Sequence, residues 1–177
     1  MKPDLSEITF VIPVYFDSKE RIENLIGILK FLTNNFNTNI LFIEENYRPT
    51  YIDYIHNDFF HSANPNFKTK FIPRPFKPDI FYRTKVINEG LKLCTTPYAC
   101  IYDTDVIFAP ANFVKSLELL KDGNTLVYPY GGKFVDIERS YINDGITKER
   151  ESYVTESFGG AVFLNIEKYK ECGLENE

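Results

Sequence analysis

Between Ile8 and Tyr15 nearly every position is β-branched, aromatic or otherwise apolar, and the run is interrupted only by Pro13 close to its end. A stretch without polar alternation predicts a strand covered on both faces, hence a central one, and proline is tolerated near a strand's end. Ile22, Leu25, Ile26, Leu29, Leu32 and Phe36 then recur at helical spacing. Asp17 with Glu20 three residues on forms a capping-box pair, so a helix is predicted from Ser18 to Asn34. Asn37 and Asn39 read as a turn, and Ile40 to Ile43 as a second short strand that stops at Glu44, Glu45 and Asn46. Strand, helix, strand is the unit of a parallel sheet with a right-handed crossover.

The pattern continues along the chain. Pro49 opens a helix predicted through Tyr51 to Phe60, and Phe67 to Ile72 reads as a third strand. The proline-rich run from Pro73 to Pro78 excludes regular structure and reads as a loop. Helical spacing returns from Phe81, with Val86, Ile87 and Leu91 on one face and Arg83, Lys85 and Asn88 on others, and ends near Cys94. Tyr98 to Tyr102 is a strand, Asn112 to Leu120 a helix burying Phe113, Leu117 and Leu120, and Leu126 to Tyr130 a strand stopped by Gly131 and Gly132. Ser140 to Ser157 is polar and charged and reads as a loop, after which Phe158, Gly159 and Gly160 lead into a strand, Ala161 to Leu164, and a helix to Cys172. Alternating strands and helices predict an open, mostly parallel α/β sheet flanked by helices.

Composition narrows the partners. A chain of 177 residues that is 44% hydrophobic can bury one sizeable core, so one domain is expected. Its net charge of -5 excludes nucleic acid as the main partner, because phosphate backbones are bound by basic faces. Cys94, Cys100 and Cys172 lack metal-ligand spacing and read as buried free thiols of a reducing compartment. His56 and His61, with no carboxylate or thiol at a ligand spacing, read as surface or packing residues. With no apolar leader and no apolar run of membrane-spanning length, a soluble, cytoplasmic protein is expected.

The chemistry gathers where predicted strands end. Asp103 and Asp105 follow the apolar strand Tyr98 to Tyr102, and on an extended backbone both side chains would leave the same face. Two like charges about 4 Å apart repel by about 4 kcal/mol at an effective dielectric near 20, a repulsion that a divalent cation reverses. The alternative is a solvated turn in which Asp105 caps a downstream element. Pro13 with Tyr15, Glu44 with Glu45, and the Asp-x-Asp pair all fall at strand carboxyl ends, the edge where open α/β sheets bind ligands.

Taken in order, Ile12-Pro13-Val14-Tyr15, Phe42-Ile43-Glu44-Glu45, the segment Phe81 to Gly90 with its Arg-x-Lys-x-x-Asn, the Asp-x-Asp pair and Phe158-Gly159-Gly160 resemble a GT-A glycosyltransferase over nearly the whole chain. The likeness is greatest to bacterial family-2 enzymes and the β-1,4-galactosyltransferase type. It implies a single GT-A nucleotide-sugar-binding domain over residues 1–177, cut short at its C-terminus. It also implies a donor that is a UDP-sugar, a saccharide acceptor, Mn2+ or Mg2+, transfer with inversion, and a place in polysaccharide biosynthesis. On this resemblance Pro13 and Tyr15 line the nucleoside pocket, and Glu44 or Glu45 approaches the base or ribose. Arg83 and Lys85 lie toward the diphosphate, and the backbone of Gly159 and Gly160 approaches the donor sugar. Asp103 contacts the ribose or the metal, and Asp105 is the principal metal ligand. The galactosyltransferase type carries its acceptor loop, its acidic pair with the catalytic base and a metal-binding His after the position of Gly173 to Glu177. The base is therefore expected beyond Glu177, Glu175 and Glu177 being at a frayed end. The other readings are a binding module that holds the donor without transferring it, and a nucleotidyltransferase, for which a Gly-rich, Lys-containing loop after the first strand is missing.

Overall fold

The computed structural model describes residues 1–50, 66–74, 80–131, 133–137, 149–155 and 159–176. The helix expected at Tyr51 to Phe60, both histidines and most of the proline-rich run lie outside them. Contacts group the chain into two units, Met1–Pro129 with Gly160–Glu177, and Tyr130–Gly159.

In the first unit six strands form one sheet. They are β1 (Asp4–Val14), β2 (Asn37–Asn46), β3 (Phe67–Pro73), β4 (Tyr98–Tyr102), β5 (Leu126–Val127) and, after two strands of the other unit, β8 (Ala161–Asn165). Their order is β3-β2-β1-β4-β8-β5; β1 to β4 run parallel, and β8 is antiparallel to both β4 and β5. Helices α1 (Lys19–Asn35), α2 (Arg83–Leu93), α3 (Pro110–Lys121) and α4 (Ile166–Glu171) cover it. Phe10, Ile12, Phe42 and Phe163 pack with residues of α1 and α3. On the other face Val11, Leu41, Ile43 and Ile101 pack with Val86, Ile87 and Leu91 of α2. Cover on both faces explains why β1 is buried at every position from Ile8 to Val14.

Without tryptophan, phenylalanine fills the first core. The Phe113 ring lies 5.0 to 6.0 Å from those of Phe10, Phe31, Phe36, Tyr102, Phe108 and Phe163. Such pairs add about 0.5–1.5 kcal/mol each beyond the area they bury.

Several expectations are corrected. The N-cap of α1 is Ser18, which accepts from the Arg21 N–H, while Asp17 pairs with the Arg21 side chain at 2.8 Å. Asn37 to Asn39 belong to β2, where the side chains of Thr38 and Asn39 serve the irregular pairing of β1 between Leu5 and Thr9. The Thr38 hydroxyl donates toward the Leu5 and Ile8 carbonyls, and the Asn39 amide toward those of Ser6 and Ile8. The strand expected from Leu126 to Tyr130 pairs only at Leu126 and Val127, since Pro129 lacks the N–H that a ladder needs. Cys172 is exposed, whereas Cys100 is buried and Cys94 partly so.

In the second unit β6 (Lys133–Ile137) pairs antiparallel with β7 (Glu149–Thr155), and β7 lies inside the stretch Ser140 to Ser157 expected to be a loop. Asp136 is in register with Arg150 there. No helix of the described residues is long and apolar enough to cross a membrane.

Gly90 marks where α2 comes closest to the sheet: a Cβ there would lie 2.4 Å from Val11 Cγ1 and 2.7 Å from Ile43 Cδ1. Gly90→Ala therefore sets about 1 kcal/mol of gained helix propensity against about 1–3 kcal/mol of overpacking on a stiff β-branched neighbour. A net loss of stability in urea unfolding is expected; a gain would show that helix and sheet separate at no cost.

Candidate functional site at the carboxyl edge of the sheet

The chain leaves β1 toward β2 and β3 on one side and reaches β4 on the other, so the sheet changes direction between β1 and β4. That is where open α/β sheets bind ligands, outside the strand carboxyl ends. Residues continuing the α2 face of these strands form the site.

Pro13 is buried within β1, and Tyr15, just beyond it, is 9% exposed. The Tyr15 ring stacks on Phe81 with centroids 6.1 Å apart and planes 19° from parallel. At the end of β2 the two glutamates part to opposite faces. Glu44 is fully buried and accepts from the Thr50 N–H at 2.9 Å and the Asn46 amide at 3.2 Å, so it fastens the chain after β2. Glu45, equally buried, turns to the α2 face and approaches Arg74 Nε at 2.9 Å. That contact is a charge pair without the alignment of a hydrogen bond, and Arg74 Nη2 is buried with no hydrogen-bond partner among the described residues. The Tyr82 N–H donates to the other Glu45 oxygen at 3.3 Å, and the Arg74 guanidinium lies 4.4 Å from the Tyr82 ring centre.

Arg83 opens α2 and donates to Asp103 Oδ1 at 2.6 Å. Lys85 is two residues on, about 200° around the helix, so the two cations do not converge; Lys85 is exposed and has no hydrogen bond or ion pair to a described residue. Asn88 stands off the apolar face of α2 in the helical pattern. It is buried and exchanges two 3.0 Å hydrogen bonds with the Glu175 backbone. Glu175 is therefore held rather than frayed, and its carboxylate also accepts from the Tyr169 hydroxyl.

Asp103 and Asp105 sit in a turn after β4, not on extended backbone, so they do not share a strand face. Asp103 is partly buried and taken by Arg83, whereas Asp105 is exposed with no hydrogen bond or ion pair to a described residue. Among the described residues no group of three or more His, Cys, Asp and Glu side chains gathers. One or two carboxylates are nonetheless what Mg2+ or Mn2+ takes from a protein when diphosphate oxygens and water complete its shell. The donor set of this turn fits that use.

Gly160 accepts from the Asp103 N–H at 2.8 Å and has φ +86°. Its conformation thus serves the turn, whatever else its backbone approaches. Gly159 belongs to the second unit, where its carbonyl accepts from the Tyr130 hydroxyl. At the amino ends of the strands, a cavity of about 30 Å3 lined by Thr9, Asn39, Lys68 and Cys94 has room for water only. Burial pushes the Cys94 thiol up to about 11.

Arg74 and Tyr82 are the residues that pattern reading passed over. An arginine between prolines, at the carboxyl end of a strand, was the available signal.

No protein-family model matches the chain, and no curated protein matches it. Solved structures match in fold. The mannosyltransferase PcManGT from Pyrobaculum calidifontis, in complex with GDP-Man and Mn2+, aligns at TM-score 0.57 and 11% identity over 99% of this chain and 48% of that one. S. aureus TarS 1-349 aligns at 0.57 and 12% over 98% and 49%. The 4-diphosphocytidyl-2C-methyl-D-erythritol synthase from Anaerococcus prevotii aligns at 0.53 and 13% over 97% and 78%. The chain thus spans about half the length of the first two. At such identities the likeness is one of fold alone: a six-stranded, mostly parallel sheet flanked by helices, as in GT-A-like proteins. A glycosyltransferase-like fold is shown, and because a synthase shares it, the choice of chemistry rests on the residues at the sheet's edge.

Proposed function

We propose that this chain is the donor-binding part of a glycosyltransferase that takes a nucleotide-diphosphate sugar, a UDP-sugar by the resemblance of its motifs, together with Mn2+ or Mg2+. The observation that carries the reading is the gathering of an aromatic pair, a buried carboxylate and a cation–carboxylate pair at the switch point between β1 and β4. The GDP-Man and Mn2+ held by the Pyrobaculum protein support the same donor class and metal use.

Each residue then has a task. Tyr15 offers a ring face to the base, and Pro13 shapes the floor beneath it. Glu45 is the glutamate on the ligand side, Glu44 being spent on the Thr50 segment. Arg83 meets the diphosphate from the start of α2 while holding Asp103. Lys85 contributes at most long-range charge, and the backbone of Gly160 borders the sugar. Asp105, helped by Asp103, holds the divalent cation, which supplies positive charge against the departing nucleoside diphosphate. Inverting transfer to a saccharide hydroxyl further requires a base within hydrogen-bond reach of that hydroxyl, a role we assign to none of the described residues.

Calorimetry with UDP, GDP and their sugars, with and without Mn2+, tests the reading. Metal-dependent binding is expected, and Asp105→Ala should weaken it at least tenfold, about 1.4 kcal/mol, with an unchanged melting temperature. Equal Mn2+-dependent affinity in that variant contradicts the metal assignment. Tyr15→Ala should lose about 1–3 kcal/mol, the usual worth of one base–aromatic stack, for UDP and UDP-sugar alike. A loss confined to the sugar nucleotide would place Tyr15 away from the base.

A further inference from the structure

Tyr102 ends β4 and is fully buried, its ring edge-on to Phe10 at 5.7 Å and tilted against Phe113 at 5.9 Å. A phenylalanine would fill that space equally well, so core packing does not account for the hydroxyl. That hydroxyl donates a 2.8 Å hydrogen bond to the Val106 carbonyl and so closes a loop containing Asp103, Thr104 and Asp105.

The same turn is tied from a second side. The Asp103 N–H donates to the Gly160 carbonyl at 2.8 Å. The Val106 side chain rests on Gly160, where a Cβ would come within 2.9 Å of Val106 Cγ1 and where φ is +86°. Neither fastening uses a carboxylate, so the backbone path is fixed while Asp105 stays exposed.

We infer that Tyr102 is a positioning residue for the Asp103–Asp105 turn, its hydroxyl holding the backbone from which the metal-binding carboxylate projects. The inference rests on the donor site proposed above and deepens it. Two carboxylates on a loose turn repel and spread apart, and a cation that gathers them must also supply the cost of ordering the turn. A turn ordered beforehand by a buried hydroxyl removes that cost. Partners that orient a metal ligand without touching the metal commonly matter in this way.

The experiment compares wild type, Tyr102→Phe and Gly160→Ala. Mn2+ affinity is read by electron paramagnetic resonance in the presence of UDP, UDP affinity is read calorimetrically in EDTA, and melting temperature is recorded for each. Tyr102→Phe should bind Mn2+ about three- to tenfold more weakly, the range that one hydrogen bond corresponds to. Its metal-free UDP affinity should stay within about twofold of wild type, and amides 103 to 106 should exchange faster with deuterium. Gly160→Ala disturbs the turn from its other side and should weaken Mn2+ binding as well. Unchanged Mn2+ affinity in Tyr102→Phe, beside metal-dependent binding by wild type, overturns this inference and leaves the donor site standing. Equal losses with and without metal also overturn it, since they would mean general loosening. No Mn2+-dependent UDP binding by wild type overturns both.

Discussion

Everything in the first unit depends on β1 being covered on both faces. A strand with no polar side from Ile8 to Val14 requires helices above and below it, and parallel neighbours joined by crossovers supply them. Parallel strands also bring all their carboxyl ends to one edge. The residues that end β1, β2 and β4 are thereby placed together although they lie up to about ninety positions apart in sequence. Gly90 shows how close this packing is, since α2 approaches Val11 and Ile43 with no space for a methyl group.

That edge concentrates charge at the border of an apolar core, where each charge needs a partner. Glu44 is held by backbone N–H and amide donors, Glu45 by Arg74 and the Tyr82 N–H, and Asp103 by Arg83. Two of these arrangements leave something over. Arg74 Nη2 is buried without a hydrogen-bond partner among the described residues, and Asp105 stands exposed beyond the turn that Tyr102 and Gly160 fasten. A phosphorylated ligand with its cation is what we propose this surface receives, nucleotide sugars being of that class.

Much of this was legible in the chain itself. The unbroken apolar runs of β1 and β4 and the helical spacing of α1 to α3 located those elements to within a few residues, because burial on two faces leaves no polar alternation to misread. Legibility failed where a polar residue does a structural task. Asn37 to Asn39 look like a turn, but Thr38 and Asn39 bridge carbonyls freed by irregular pairing in β1. Asn88 stands off the apolar face of α2 in sequence but is buried and anchors Glu175. β7 was hidden because the charges of a two-stranded ribbon mask its alternation. That Pro13, Tyr15, Glu45, Arg83 and Asp103 lie at the sheet's carboxyl edge was readable from strand ends and helical spacing. The separate fates of Glu44 and Glu45, and of Arg83 and Lys85, depend on which way a face turns, and Arg74 reaches Glu45 only through the pairing of β2 with β3.

The central claim is that the carboxyl edge between β1 and β4 is where a nucleoside diphosphate binds. Backbone amide chemical shifts of the labelled protein, titrated with UDP and then Mn2+, test it most directly. The account predicts UDP-induced shifts at Tyr15, Phe16 and Phe81 to Thr84, and Mn2+ broadening centred on Asp103 to Val106. Thr9, Asn39 and Cys94 at the opposite edge should stay unchanged. Shifts and broadening confined to that opposite edge, or absent from the Asp103 to Val106 turn, would contradict it.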